Sequence, residues 1–266
     1  MRFFFTICIL LLTGVVFPQT TGEGDDSCAI RNTAFQAGET LTYKVYYTLA
    51  SVYVAAGEAT FNTTLDQFNG KNVYHVVADG KTYPFYDKFF KVRDRYETYI
   101  DTATLQPYKF IRNVDEGGYK TYENVTFSKN TNTAVTTEGV YKVPACIQDV
   151  LSAIFYVRNL DFNHFKPGDK IPFDMFLDRQ VYHLYVRYLG KETIRTKYAK
   201  FRCIKFKPLL VKGTMFQGGE KMTVWVSDDP NHIALRVESP ITVGSVKVDM
   251  SYYHGLRYPL SSLVDL

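Results

Sequence analysis

Apolar and polar residues alternate with a period of two along much of this chain, and that period implies extended backbone, because successive side chains of a strand point to opposite faces. In LTYKVYYTL, Leu41, Tyr43, Val45 and Tyr47 share one face, with Thr42, Lys44 and Tyr46 on the other. In VYHLYVRYL, Tyr182, Leu184, Val186 and Tyr188 oppose His183, Tyr185 and Arg187. In VGSVKVDMSYY, Val246, Val248 and Met250 oppose Ser245, Lys247 and Asp249. Tyrosine and phenylalanine, 21 and 20 of the 266 residues, suit such half-buried pleated surfaces.

Turn signals punctuate the runs: FNGKN at Phe68, DEGGYK at Asp115, SKNTNT at Ser128, KPGDK at Lys166, FQGGEK at Phe216 and SDDPNH at Ser227. Many strands at short spacing predict an antiparallel meander that curls into a closed or partly open β-barrel, since a flat sheet of that width would leave adhesive edges. One segment departs from the period. After Pro144, the residues Ile147, Val150, Leu151, Ile154 and Phe155 recur at helical spacing, with Gln148, Asp149 and Ser152 elsewhere. This predicts a mid-chain amphipathic helix over about 146–159. YPFYDKFF, from Tyr83, is read as an added helical turn.

MRFFFTICILLLTGVVF carries one basic residue, Arg2, and then an apolar run too short for the roughly 20 residues a bilayer span needs. It reads as a secretory signal peptide over residues 1–24, with cleavage between Thr20 and Asp26, a tail at 25–34, and one β-rich domain over 35–262. No later stretch predicts a transmembrane span. The expectation is an exported, periplasmic chain, with outer-membrane association open. Without Cys8, the cysteines Cys28, Cys146 and Cys203 predict one disulfide and one spare thiol, and Cys28–Cys146 is favoured because it tethers the tail. Cys203 stands opposite Ile204 and Phe206 in FRCIKFK, away from the drier face. A helix-start Cys146 as a reactive thiolate is the alternative. The net charge of +4, with both signs interleaved, is no nucleic-acid footprint.

The stretch MTVWVSDDPNHIALRVESPI raises the question of catalysis. Met222, Val224 and Val226 alternate with Thr223 and Trp225 before it, and Ile233, Leu235 and Val237 alternate with Ala234, Arg236 and Glu238 after it. Two such runs about Asp-Asp-Pro-Asn make a hairpin whose loop follows from turn chemistry. A general acid at Asp228 or Asp229 paired with His232 would need a buried carboxylate, and an exposed bend offers none. His75, His164, His183, His232 and His254 lack metal-ligand spacing, and no phosphate-cradling or dinucleotide motif is present, so no cofactor or metal is expected. The aromatic content reads either as a packed core or as the wall of an apolar pocket. For the pocket, the candidate lining is Tyr43, Tyr47, Tyr182, Tyr188 and Val248.

AGETLTYKVYY, CIQDVLSAIFYVRNLDF and YLGKETIRTKYAKFRCIKFKP, followed by MTVWVSDDPNHIALRVESPITVGSVKVDM, resemble the exported domain-of-unknown-function family 3108 of Gram-negative bacteria, from about Phe35 to Tyr258. The resemblance implies a periplasmic or outer-membrane-associated β-rich protein with no assigned activity, and it transfers no site residues. The functional expectation is a non-enzymatic binding or carrier protein for a lipid or glycan of the cell envelope. Two alternatives stand beside it: an assembly partner of an envelope protein, and a glycan hydrolase using distant carboxylates such as Glu58, Asp94, Glu97 or Glu238.

Overall fold

The structure, a computed structural model, describes residues 28, 30–49, 52–211, 218–241 and 244–265. The expected signal peptide lies outside the described residues. Among the described residues, eight strands precede the helix: β1 (Thr40–Leu49), β2 (Val52–Phe68), β3 (Lys71–Thr82), β4 (Val92–Asp101), β5 (Pro107–Glu116), β6 (Tyr119–Ser128), β7 (Thr133–Thr136) and β8 (Gly139–Lys142). After α1 (Val150–Arg158) come β9 (Lys170–Leu177), β10 (Gln180–Arg195), β11 (Lys200–Pro208), β12 (Thr223–Ser227), β13 (Ala234–Pro240), β14 (Ser245–His254) and β15 (Leu263–Asp265). YPFYDKFF supplies a 3-10 turn at Tyr86–Lys88.

The strands form one antiparallel sheet in the order β8-β7-β6-β5-β4-β3-β2-β1-β14-β13-β12-β11-β10-β9, with β15 added beside β11. The first strand therefore pairs with the fourteenth, Thr40 opposite His254, and the sheet is a meander bent round on itself. It does not close: no ladder joins β8 to β9 among the described residues. The gap is spanned instead by Gln148, whose N–H donates to Asp174 O (2.9 Å) and whose carbonyl accepts from Phe176 N (2.9 Å). Phe176 packs on Phe127 and Tyr141, and the ion pairs Arg112–Asp178 and Arg179–Glu138 tie the turn after β9 to β5 and to the β7–β8 connection.

The helix begins at Val150 rather than near 146. Asp149 accepts from the N–H groups of Leu151 and Ser152 while Ser152 Oγ accepts from Asp149 N, so the capping box fixes the first turn there. Gln148 is committed to β9, and Cys146 sits at φ +63°. The buried face is also rotated from the expected one: Ser152, Ala153 and Arg158 are buried with Leu151 and Phe155, and Ile154 is exposed.

Leu151 and Phe155 close one end of the curved sheet against Phe35, Val76 and Ile100, and Asp149 Oδ2 accepts from Thr98 Oγ1 (2.6 Å) on β4. Because hairpin turns alternate between the two ends of an antiparallel meander, the β3–β4 and β5–β6 connections lie at the end opposite this plug. β11 and β12 are buried on both faces. Ile204, Phe206, Val224 and Val226 pack with Leu160 and Phe162, whereas Phe201, Cys203 and Trp225 pack with Leu41, Tyr43 and Met250 under Leu256, Leu260 and Leu263. Tyr46, expected on the wetter face of β1, is likewise buried. The ladder with β2 slips after Val45, and the ring stacks on Tyr53 at 4.9 Å.

Candidate functional site

A segment at the N-terminus of the described chain runs past the C-terminal end of α1 and divides two clefts. Asn159, the helix C-cap, seats it: its Oδ1 accepts from Thr33 N (2.6 Å) and Ala34 N (3.1 Å) while its Nδ2 donates to Phe155 O (2.8 Å). Cys28 is bonded to Cys146, the expected pairing, and this holds the strap from its other side. Cys146 is therefore no thiolate. Among the described residues Cys203 is the free cysteine, as expected, but its face is dry: the C-terminal segment covers it, and burial pushes its thiol up to about 12.

The larger cleft, of about 550 Å³, has an apolar floor of Leu160, Phe162 and Ile204 and a polar rim that includes Arg31, Asp161, Lys191, Asp228 and His232. Lys191 Nζ lies 2.8 Å from Asp228 and donates to Asn163 Oδ1 at 3.3 Å. The smaller, of about 450 Å³, lies on the other side of the strap, between the disulfide, Ile30, Tyr156, Pro172 and Phe173.

The Ser-Asp-Asp-Pro-Asn-His bend forms one wall of the larger cleft. The hairpin is as expected, with Val224 opposite Val237 and Trp225 opposite Arg236. Its exposure is not: Asp229 and Asn231 are buried. Asp229 Oδ1 accepts from Ser227 Oγ (2.9 Å), Asn231 N (3.0 Å) and Asn231 Nδ2 (3.1 Å), and Oδ2 accepts from Ser262 N (3.1 Å). Asn231 exchanges further bonds with Tyr258, donating to its carbonyl and accepting from its N–H. The segment 258–262 thus lies across the bend, which spacing along the chain does not reveal. Four donors on one carboxylate make Asp229 the frame of the turn.

His232, at φ +43°, donates from Nδ1 to Arg158 O (2.7 Å), since a carbonyl can only accept. Nε2 is then the lone-pair nitrogen of the neutral ring, and burial holds the imidazole below the usual histidine range. Neither lining hydroxyl, Thr33 nor Tyr258, hydrogen-bonds to it among the described residues. The rim therefore offers two cations, Arg31 and Lys191, two carboxylates and a neutral acceptor above an apolar floor.

Sequence reasoning missed the group that holds this region together. Arg158 and Glu39 are buried and paired, Nη1 to Oε1 at 2.6 Å and Nη2 to Oε2 at 2.8 Å. Arg158 Nε donates to Asn231 O (3.1 Å), and its guanidinium lies 5.2 Å from the Phe155 ring centroid and 5.5 Å from that of Phe35. Helix, strap and bend meet on one side chain.

The five tyrosine and valine candidates do not converge on one site, although Tyr43 and Val248 share a cluster, and none lines either cleft. Tyr43 meets Phe61 edge-on at 5.6 Å in the cluster against which Val248 packs. Tyr188 lies in the other cluster, 5.9 Å from Phe162. Tyr47 pairs with Val246, and Tyr182 pairs with Met175. Of the carboxylates, Glu58 is bonded to Lys44, Glu97 to His75 and Arg95, and Glu238 to Lys247. Asp94 differs: burial, reinforced by the neighbouring Glu116, raises it to about 7. His75 and His183 are hydrogen-bonded to Glu97 and Asp174.

Among solved structures, the chain is similar to a beta-barrel-like protein of the family DUF1849 from Brucella abortus, at 8% identity and a TM-score of 0.56 over 83% of this chain and 99% of that one. That likeness is one of fold. An exported protein with a YmcC-like fold from Bacteroides fragilis overlaps at 13% identity and a TM-score of 0.33, over 85% of this chain and 100% of that one. Among curated proteins, none matches by sequence. The family DUF3108, described as a protein of unknown function, matches residues 42–251, and the chain belongs to it.

Proposed function

We propose that this protein is an exported, non-enzymatic binding or carrier protein for an amphipathic molecule of the cell envelope, a lipid or a glycan-bearing one. The observation that carries this reading is the larger cleft. Its floor of Leu160, Phe162 and Ile204 suits an apolar chain, and its rim of Arg31, Lys191, Asp228 and His232 suits a polar head. Export rests on the apolar leader after Arg2. Native mass spectrometry of gently purified protein should show a co-purifying adduct. Thr33→Trp, which fills the cleft from an exposed position, should remove it without lowering the unfolding midpoint. Protein free of adduct that also binds no fluorescent apolar probe overturns the reading.

A second reading, hydrolysis of an envelope glycan, has one observation behind it: Asp94 beside Glu116, held protonated to about pH 7 as a general acid must be. Release of reducing ends from cell-wall glycan fragments, lost in Asp94→Asn, would favour it; no release by the wild type removes it.

A further inference from the structure

The segment joining β3 to β4, at the end of the sheet opposite α1, carries three phenylalanines turned to solvent: Phe85, Phe89 and Phe90 are 68%, 77% and 45% exposed. Tyr119, the first residue of β6, is 52% exposed. Single exposed aromatics are ordinary, but several in one short connection are not.

The segment is also braced from beneath. Arg93 donates to both Asp87 oxygens (3.1 and 2.5 Å), Thr82 Oγ1 donates to Asp87 Oδ1 (2.5 Å) and accepts from Val92 N (3.0 Å), and Gly117 N donates to Lys91 O (2.8 Å). Phe90 leans on Gly117 so closely that an added Cβ would stand 2.4 Å from its ring. Polar bonds thus hold the rings outward instead of letting them fold back onto the sheet.

Around the rings stand the exposed lysines Lys81, Lys88, Lys91 and Lys120. The acids at this tip are Asp87, paired with Arg93, Asp115, 3.8 Å from both Lys91 and Lys120, and Glu116, beside Asp94. A projecting, basic, aromatic tip meets a surface that is apolar a few ångströms down and negatively charged on top. A second copy of the chain would bring the same lysines face to face across a twofold axis, which disfavours self-association.

We propose that the 83–91 segment is a docking site for an anionic lipid bilayer, with Phe85 and Phe89 inserted at the headgroup level and the lysines over lipid phosphates. This stands independently of what the cleft at the other end binds. The test is co-sedimentation of the purified protein with vesicles of phosphatidylglycerol and phosphatidylethanolamine, against vesicles of phosphatidylcholine alone. The expected result is at least tenfold stronger binding to the anionic vesicles, weakened by raising salt from 50 to 500 mM. Phe85→Ser/Phe89→Ser should lower binding at least tenfold with the thermal midpoint unchanged. Lys81→Glu/Lys88→Glu, which keeps the rings, should weaken it through charge alone. Wild-type protein left in the supernatant, or phenylalanine variants that bind as well as wild type, overturns the proposal. So does a dimer in sedimentation equilibrium that the same variants dissolve, which would make a second copy the occupant.

Discussion

Replacing Glu39 by alanine removes one half of an ion pair that is almost without solvent, leaving the Arg158 guanidinium buried against Phe35 and Phe155 with only carbonyl oxygens for company. Breaking a buried pair in this way costs about 3–5 kcal/mol, most of it the penalty of the stranded charge. For a domain of this size each kcal/mol moves the thermal midpoint by roughly 2–4 °C, so Glu39→Ala should melt roughly 6–20 °C below wild type by circular dichroism. Arg158→Met should cost a similar amount, because it strands the carboxylate instead. Glu39→Met/Arg158→Met, which strands neither, should recover much of the loss, giving a coupling energy of at least about 2 kcal/mol. A Glu39→Ala loss under about 1 kcal/mol, or simple additivity in the double variant, would refute the claim that this pair joins helix, strap and bend.

Cys28→Ser or Cys146→Ser opens a loop of 118 residues, and chain entropy sets the loss at about 5 kcal/mol as an upper figure, measured by urea unfolding. Cys203, buried with its thiol pushed up to about 12, should resist thiol reagents in native protein and react fully in 6 M guanidinium; fast native labelling would contradict its placement. Asp94 titrates near 7 folded against an ordinary 3.8, so between about pH 4 and 7 the folded state holds a proton the unfolded chain has lost. Stability from this group therefore falls as pH rises through that window, and Asp94→Asn should flatten the slope of stability against pH there.

What could be read from the sequence was local. Alternation in VYHLYVRYL places Leu184, Val186 and Tyr188 on the buried side, and the runs about Asp-Asp-Pro-Asn form the hairpin they imply. Periodicity names a face but not what covers it. The reverse face at Cys203 is dry because Leu256, Leu260 and Leu263 lie over it, and Asp229 is buried because Ser262 reaches it from 33 residues away. The same limit scattered the expected pocket. Tyr43 and Tyr188 each lie on the apolar face of a strand, but β1 and β10 face two different clusters. The cleft is walled by loop residues such as Asp161 and Asp228, whose neighbourhood is set by long-range bonds and leaves no periodic trace.

The unpaired stretch between β8 and β9 gives the sheet the mechanics of a spring clip. Strands β1 and β14 stand side by side, so the break falls in mid-chain, where α1 and the segment before it are inserted. Spreading the jaws would break no ladder between named strands: it would part the Gln148 bonds, the ion pairs of Arg112 and Arg179, and the rings around Phe176. The remaining strain would be shared as a slight change of twist along every strand pair, so the separation of β8 from β9 is the spacing in the sheet that no strand ladder fixes.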